Sequence, residues 1–109
     1  GLNFSMNRGK ILENLVFMQL KRKGEEIYYY SNGNGCDFVV KEGAKVREVL
    51  QVCYELNDSS KEREINGLIG AMNKFKLKEA VILTHEQEQE LKIKNKSIKV
   101  LPVWKWLLT

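Results

Sequence analysis

"EVLQVCYELNDSSKEREINGLIGAMNKFKLKEAVILT", residues 48–84, is the stretch on which the fold turns. Its opening, "EVLQVCYEL" (48–56), has strand-like alternation and puts Gln51 and Cys53 on one face. The period then changes. In "DSSKEREINGLIGAMNKF" (58–75), Ile65, Leu68, Ile69 and Met72 recur at helical spacing, and Ser59 with Glu62 fits a capping box. "EAVILTH" (79–85) is a continuous apolar run suited to a strand buried on both faces. Strand, helix and strand in that order predict a right-handed crossover between two parallel strands. Gly67 and Gly70 each cost about 1 kcal/mol of helix propensity relative to alanine. At least one of them is therefore expected to lie close against another element.

Upstream, Asn7 to Lys23 reads as a helix, with Ile11, Leu12, Leu15, Val16, Met18 and Leu20 making a broad apolar face. "KRKG" closes it, with cations in the last turn and Gly24 suited to a left-handed cap. "EEIYYYS" has the aromatic density of a strand and "SNGNG" is a turn. "CDFVVKEG" and "AKVREVLQVCYEL" form two strands joined around Glu42-Gly43. The opening "GLNFSMN" has no period, so residues 1–7 read as a linker or lead-in and residues 8–109 as the domain. Downstream, "ELKIKNKSIKVLPVWKWLL" gives a short strand pair turning at Asn95-Lys96, then a helical turn from Pro102 that carries Trp104 and Trp106. The expected order is α-β-β-β-α-β with a small β addition, an α/β sandwich around a mixed sheet.

The 109 residues suffice for one domain with a core and are too few for two. A hydrophobic fraction of 43% against 29% charged argues against disorder. No apolar run approaches the ~20 residues that cross a bilayer, and no basic-then-apolar leader opens the chain. The expected setting is cytoplasmic, with no membrane partner. Cys36, Cys53 and one histidine are too few for a disulfide framework or a zinc site, although the two cysteines fall on adjacent strands and could approach. A net charge of +4 permits contact with phosphate without demanding it. The start at Gly1 fits a piece of a longer protein or a processed tag.

Asp37 interrupts "CDFVV" where a strand prefers an apolar residue. With the hairpin centred near Gly43, Asp37 faces Val49, Gln51 is its diagonal neighbour, and Cys53 follows on the same side. Glu13 shares helical phase with Val16, Phe17 and Leu20, which turns its carboxylate inward. Each residue also has a plainer reading. Asp37 suits the donors of the "SNGNG" loop, Glu13 the helix dipole, Gln51 a hydrogen-bonded core position, and Cys53 a small buried hydrophobe. His85 has no nucleophile partner at a recognisable spacing. "NGNG" lacks the length and following lysine of a P-loop, so the chain carries no ATP site of its own.

Taken together, "GKILENLVFMQLKRKG", "CDFVV", "LQVCYEL", "KEREINGL" and "VLPVWKWLL" resemble the PD-(D/E)XK nuclease superfamily. More narrowly, they resemble the C-terminal module of many bacterial and archaeal AAA-type ATPases, over roughly residues 8 to 108. The resemblance implies a restriction-endonuclease-like α/β core with a mixed sheet flanked by helices. It implies that Asp37 ligates Mg²⁺ or Mn²⁺, that Gln51 fills the second ligand position, and that Glu13 matches the acid of the first helix. Cys53 stands where the superfamily carries its lysine, and a thiol cannot supply that cation. The function implied is a non-catalytic accessory module of an AAA-type ATPase, binding nucleic acid or another protein domain through a degenerate nuclease-like site. The alternative is a metal-dependent DNA or RNA endonuclease with residual activity.

Overall fold

The computed structural model describes residues 4–32 and 35–109, with side chains for 7–30 and 37–109. Helix α1 (Phe4–Arg22) leads into β1 (Glu26–Asn32), β2 (Gly35–Glu42) and β3 (Lys45–Val52). Helix α2 (Lys61–Phe75) follows, then β4 (Glu79–Thr84), β5 (Gln89–Ile93), β6 (Lys96–Pro102) and the short α3 (Val103–Leu107). The strands form one mixed sheet in the order β1-β2-β3-β4-β6-β5. Strands β3 and β4 pair in parallel, as a crossover through α2 requires. This is the α-β-β-β-α-β core expected of a restriction-endonuclease-like domain. The terminal strand pair is more than an appendage: β6 lies parallel to β4 inside the sheet, because Ile98 and Val100 alternate into the core.

Alternation along the strands makes two cores, one on each side of the sheet. On one side Phe38, Val40, Leu50, Val52 and Leu83 meet Leu12, Val16 and Leu20 of α1 and Trp106 of α3. On the other, Val39, Val49, Ile82, Ile98 and Val100 meet Ile65, Leu68 and Met72 of α2. Full burial of each such side chain contributes about 1.5–3 kcal/mol, so both layers are needed to hold the sheet.

Several local details differ from the sequence reading. Helix α1 begins at Phe4, inside the stretch read as a lead-in. Its end follows expectation: Gly24, at φ 75°, lets the amides of Gly24 and Glu25 reach back to the carbonyls of Lys21 and Leu20. No capping box forms at Ser59. Asn57 Oδ1 instead accepts from the amides and hydroxyls of Ser59 and Ser60, because an Asx turn organises the approach to α2. A Cβ added at Gly67 or Gly70 would have nothing within 4 Å, so neither glycine serves a close approach. The β5–β6 turn is Lys94-Asn95, with Lys94 in the left-handed region at φ 57°.

The β2–β3 hairpin matters most for the site. Its turn pairs Glu42 with Lys45, with Gly43 at φ 65°. A bulge between Val40 and Lys41 leaves Arg47 outside the ladder, where it pairs with Glu25. The extra residue moves the register, so Asp37 lies directly opposite Gln51 and Val39 opposite Val49. Two one-residue errors in the expected pairing, the turn centre and the bulge, add to a shift of two, which preserves the face.

Candidate functional site

Asp37, Gln51 and Cys53 share the sheet face covered by α2, as their alternation requires. Strand β2 presents Asp37 beside Val39, and β3 presents Gln51 beside Val49. Above them the first turns of α2 lower Glu64 onto the sheet, and its carboxylate Oε2 accepts a hydrogen bond from Gln51 Nε2 at 2.5 Å. Gln51 is 3% exposed and Glu64 6% exposed. Two oxygens in this cluster, Asp37 Oδ1 and Gln51 Oε1, are buried without a hydrogen-bond partner. Buried acceptors left without donors cost about 1–3 kcal/mol each, so the cluster is short of positive charge or protons.

The electrostatics agree. Burial first, and the nearby Glu64 carboxylate second, push the Asp37 carboxyl above its ordinary value of 3.8. Burial, again with Glu64 behind it, pushes the Cys53 thiol above 9.0, against a smaller lowering from the Glu55 backbone, and the thiol donates to the Glu55 carbonyl at 3.2 Å. Cys53 is therefore a neutral thiol near neutral pH and supplies neither a cation nor a thiolate. None of the ion pairs or side-chain hydrogen bonds of the described residues brings a lysine or arginine to this cluster. The expected approach of Cys36 to Cys53 involves a side chain outside the described residues.

Glu13 does not belong here. It lies on α1, on the opposite side of the sheet, where Tyr29 Oη donates to its Oε2 at 3.2 Å. Tyr29 in turn packs its ring against Phe38, whose side chain faces away from Asp37, its neighbour along the strand. Glu13 is half-buried, and its carboxylate meets Tyr29 at the margin of the other layer rather than Asp37. The residue that takes its place is Glu64, which the sequence reading missed. Its signal was present: extended one turn back, the row Leu68–Met72 begins at Glu64.

Mg²⁺ or Mn²⁺ prefers oxygen ligands with at least one carboxylate. Asp37, Glu64 and the amide oxygen of Gln51 make such a set, and the two unpartnered oxygens are what a cation would satisfy. Among the described residues no three His, Cys, Asp or Glu side chains gather as a metal-ligating group, so the set depends on Gln51. Bound there, a divalent cation would activate water and neutralise charge on a phosphate.

The outer side of the molecule has a second concavity. Between α1 and α3 runs a groove of about 430 Å³ lined by Leu12, Leu15, Val103, Trp104 and Leu107. At its polar end Tyr54 and His85 stack with ring centres 4.8 Å apart, and Arg8 donates to Tyr54 Oη at 2.7 Å. Among the described residues no helix is long and apolar enough to cross a membrane.

An uncharacterised protein of Methanocaldococcus jannaschii is 41% identical over 119 residues, an alignment that covers 99% of this chain and 26% of the archaeal protein. The chain thus spans about a quarter of the length of that relative. Residues 8–106 match a family described as a domain of unknown function, DUF4143. With nearly its whole length matched, the chain belongs to the DUF4143 family.

Proposed function

We propose that this domain is a non-cleaving accessory module of an AAA-type ATPase that acts by binding another protein domain. The observation that carries the reading is Cys53. Two residues beyond Gln51, where a PD-(D/E)XK nuclease carries lysine, stands a buried thiol kept neutral by its surroundings. Without that cation, charge developing on a scissile phosphate lacks a stabilising partner, a large part of the catalytic effect in such sites. Burial adds to the argument. Gln51 and Glu64 are buried between the sheet and α2, so a nucleic-acid backbone has no direct path to them and binding falls to the outer surface. Attachment to an ATPase rests on the sequence resemblance, and the much longer archaeal relative is compatible with it.

One observation favours a second reading, a metal-dependent nuclease with residual activity. Asp37 Oδ1 and Gln51 Oε1 lack partners, and Mg²⁺ or Mn²⁺ held by Asp37, Gln51 and Glu64 would satisfy both. Nicking of supercoiled plasmid with Mn²⁺, run beside Asp37→Ala, separates the two readings. The expected result is no nicking by either protein at high concentration. Nicking by the unmodified domain that disappears in Asp37→Ala would overturn the accessory-module reading. The companion expectation is a P-loop ATPase region in the full-length gene; its absence would remove the proposed partner.

A further inference from the structure

We propose that the outward face of α1, with the groove beside α3, docks an amphipathic helix whose apolar stripe is bordered by carboxylates. The helix would be supplied by another domain of a longer polypeptide. This deepens the accessory-module reading and rests on it.

Three large apolar side chains of α1 point to solvent: Ile11 is 59% exposed, Leu15 42% and Met18 61%. Their spacing of four and three residues sets them in one line along the helix, away from the buried row Leu12–Val16–Leu20. Beside that line, Trp104 of α3, 59% exposed, lines the same groove as Ile11 and Leu15. Singly exposed apolar residues need no explanation, whereas a continuous patch of this kind marks a contact surface. The groove between the helices has room for side chains reaching in from a partner. A stripe on a helix beside such a groove is the form that receives another helix.

Charge selects the partner. Lys10, Lys21 and Arg22 are exposed on the same outward arc, and none of them is ion-paired among the described residues. The only carboxylate in α1 is Glu13, half-buried and hydrogen-bonded to Tyr29. Along α1 the apolar stripe is thus flanked by cations, with Glu86 the one carboxylate lining the groove, beside His85 at its polar end, and its complement is an apolar stripe bordered mainly by anions. A second copy of this chain fits poorly, because α1 against α1 would bring lysine and arginine to the same cations. The relative of which this chain matches 26% has ample further polypeptide to supply the helix.

The test uses two labelled helical peptides of about three heptads, leucine along one stripe and either glutamate or lysine on both borders. Fluorescence anisotropy should show the glutamate peptide binding and the lysine peptide failing. Leu15→Asp, and separately Met18→Glu, should weaken binding at least about tenfold, equivalent to 1.4 kcal/mol. The pair Lys21→Glu with Arg22→Glu should weaken binding of the glutamate peptide and reduce its salt dependence. Lys99→Glu, on the sheet, should change nothing. Because Leu15 and Met18 face solvent, unchanged circular dichroism is expected in both variants.

Equal binding of both peptides, no binding of either, or indifference to Leu15→Asp and Met18→Glu would each overturn the proposal. Binding to phosphatidylserine vesicles that Leu15→Asp abolishes, with no peptide binding, would overturn it in favour of a membrane surface. A parallel titration with the remaining part of the domain's own gene product separates the two levels. If that part binds and Leu15→Asp has no effect, the accessory-module reading survives and this surface is excluded. If it does not bind at all, the accessory-module reading itself fails.

Discussion

The two sides of the sheet invert each other. Beneath α1 and α3 the core is wholly apolar, while the outer surface of α1 leaves Ile11, Leu15 and Met18 in solvent. Beneath α2 the core encloses Asp37, Gln51 and Glu64, while the outer surface of that helix is an ordinary polar one, with Arg63, Asn66 and Asn73 exposed. One side has finished its interior and left its exterior incomplete; the other has done the reverse. Polar groups inside a core cost stability unless fully paired, and apolar groups outside cost solubility unless covered. The domain bears both costs in separate layers, so the buried cluster and the exposed stripe can be perturbed independently.

The largest effect expected from this contrast is on the apolar side. Phe38 is fully buried between the sheet and α1, with its ring 5.2 Å from Tyr29 and 6.5 Å from Phe17. Phe38→Ala should cost about 3–5 kcal/mol, from lost transfer energy and the cavity left behind. Urea denaturation followed by circular dichroism measures it. A loss below about 1 kcal/mol would mean that this layer collapses easily and is not the rigid core described.

The polar side should respond in the opposite direction when one carboxylate is neutralised. The folded state holds the Asp37 proton more tightly than the unfolded chain, whose value is the ordinary 3.8. Above pH 3.8 the folded form therefore binds more protons than the unfolded chain, and stability falls as pH rises until the raised folded value is passed. Below 3.8 the penalty is absent. Asp37→Asn removes this loss and offers an amide donor beside the unpartnered Gln51 Oε1. In EDTA near neutrality the variant should be more stable by about 1 kcal/mol, and the gap should close as pH falls below 3.8. A variant less stable at neutral pH would show that the Asp37 charge is compensated by a partner, and the contrast between the two sides would weaken. With Mn²⁺ in place of EDTA, any stabilisation of the unmodified domain should vanish in Asp37→Asn.

How much of this was legible in sequence follows from what each signal can encode. The change of period across residues 48–84 specifies strand, helix and strand, and the crossover rule then makes β3 and β4 parallel. The shared face of Asp37, Gln51 and Cys53 survived a wrong register because a shift of two leaves a strand's faces unchanged. Helical phase sets Glu13 beside the buried row of α1, but a phase carries no information about which side of the sheet the helix will cover. Only the crossover helix α2 has its connection constrained by a rule of handedness; α1 precedes the sheet and is free of it. Glu64 was hidden because a carboxylate heading an apolar row reads as a solvated first-turn acid. The bulge sets Arg47 outside the ladder, where its partner Glu25 is distant in sequence, and leaves no local trace.

The smallest predicted effect tests the finished exterior of α2. Gly67 and Gly70 lie within a 15-residue helix, have helical rather than left-handed backbone, and face open space. Their cost in helix propensity is then uncompensated by packing, contrary to the expectation of a close approach. Gly67→Ala should raise stability by about 0.5–1 kcal/mol, because alanine restricts the unfolded chain and fits the folded one. Gly70→Ala should do the same, and for exposed positions three residues apart the two gains should roughly add. The comparison between layers makes this outcome informative: a substitution on the outer face of α2 should improve the domain without disturbing peptide binding at α1. A loss of stability in either variant would show that something packs on this face after all. The outer surface of α2 would then be as incomplete as that of α1.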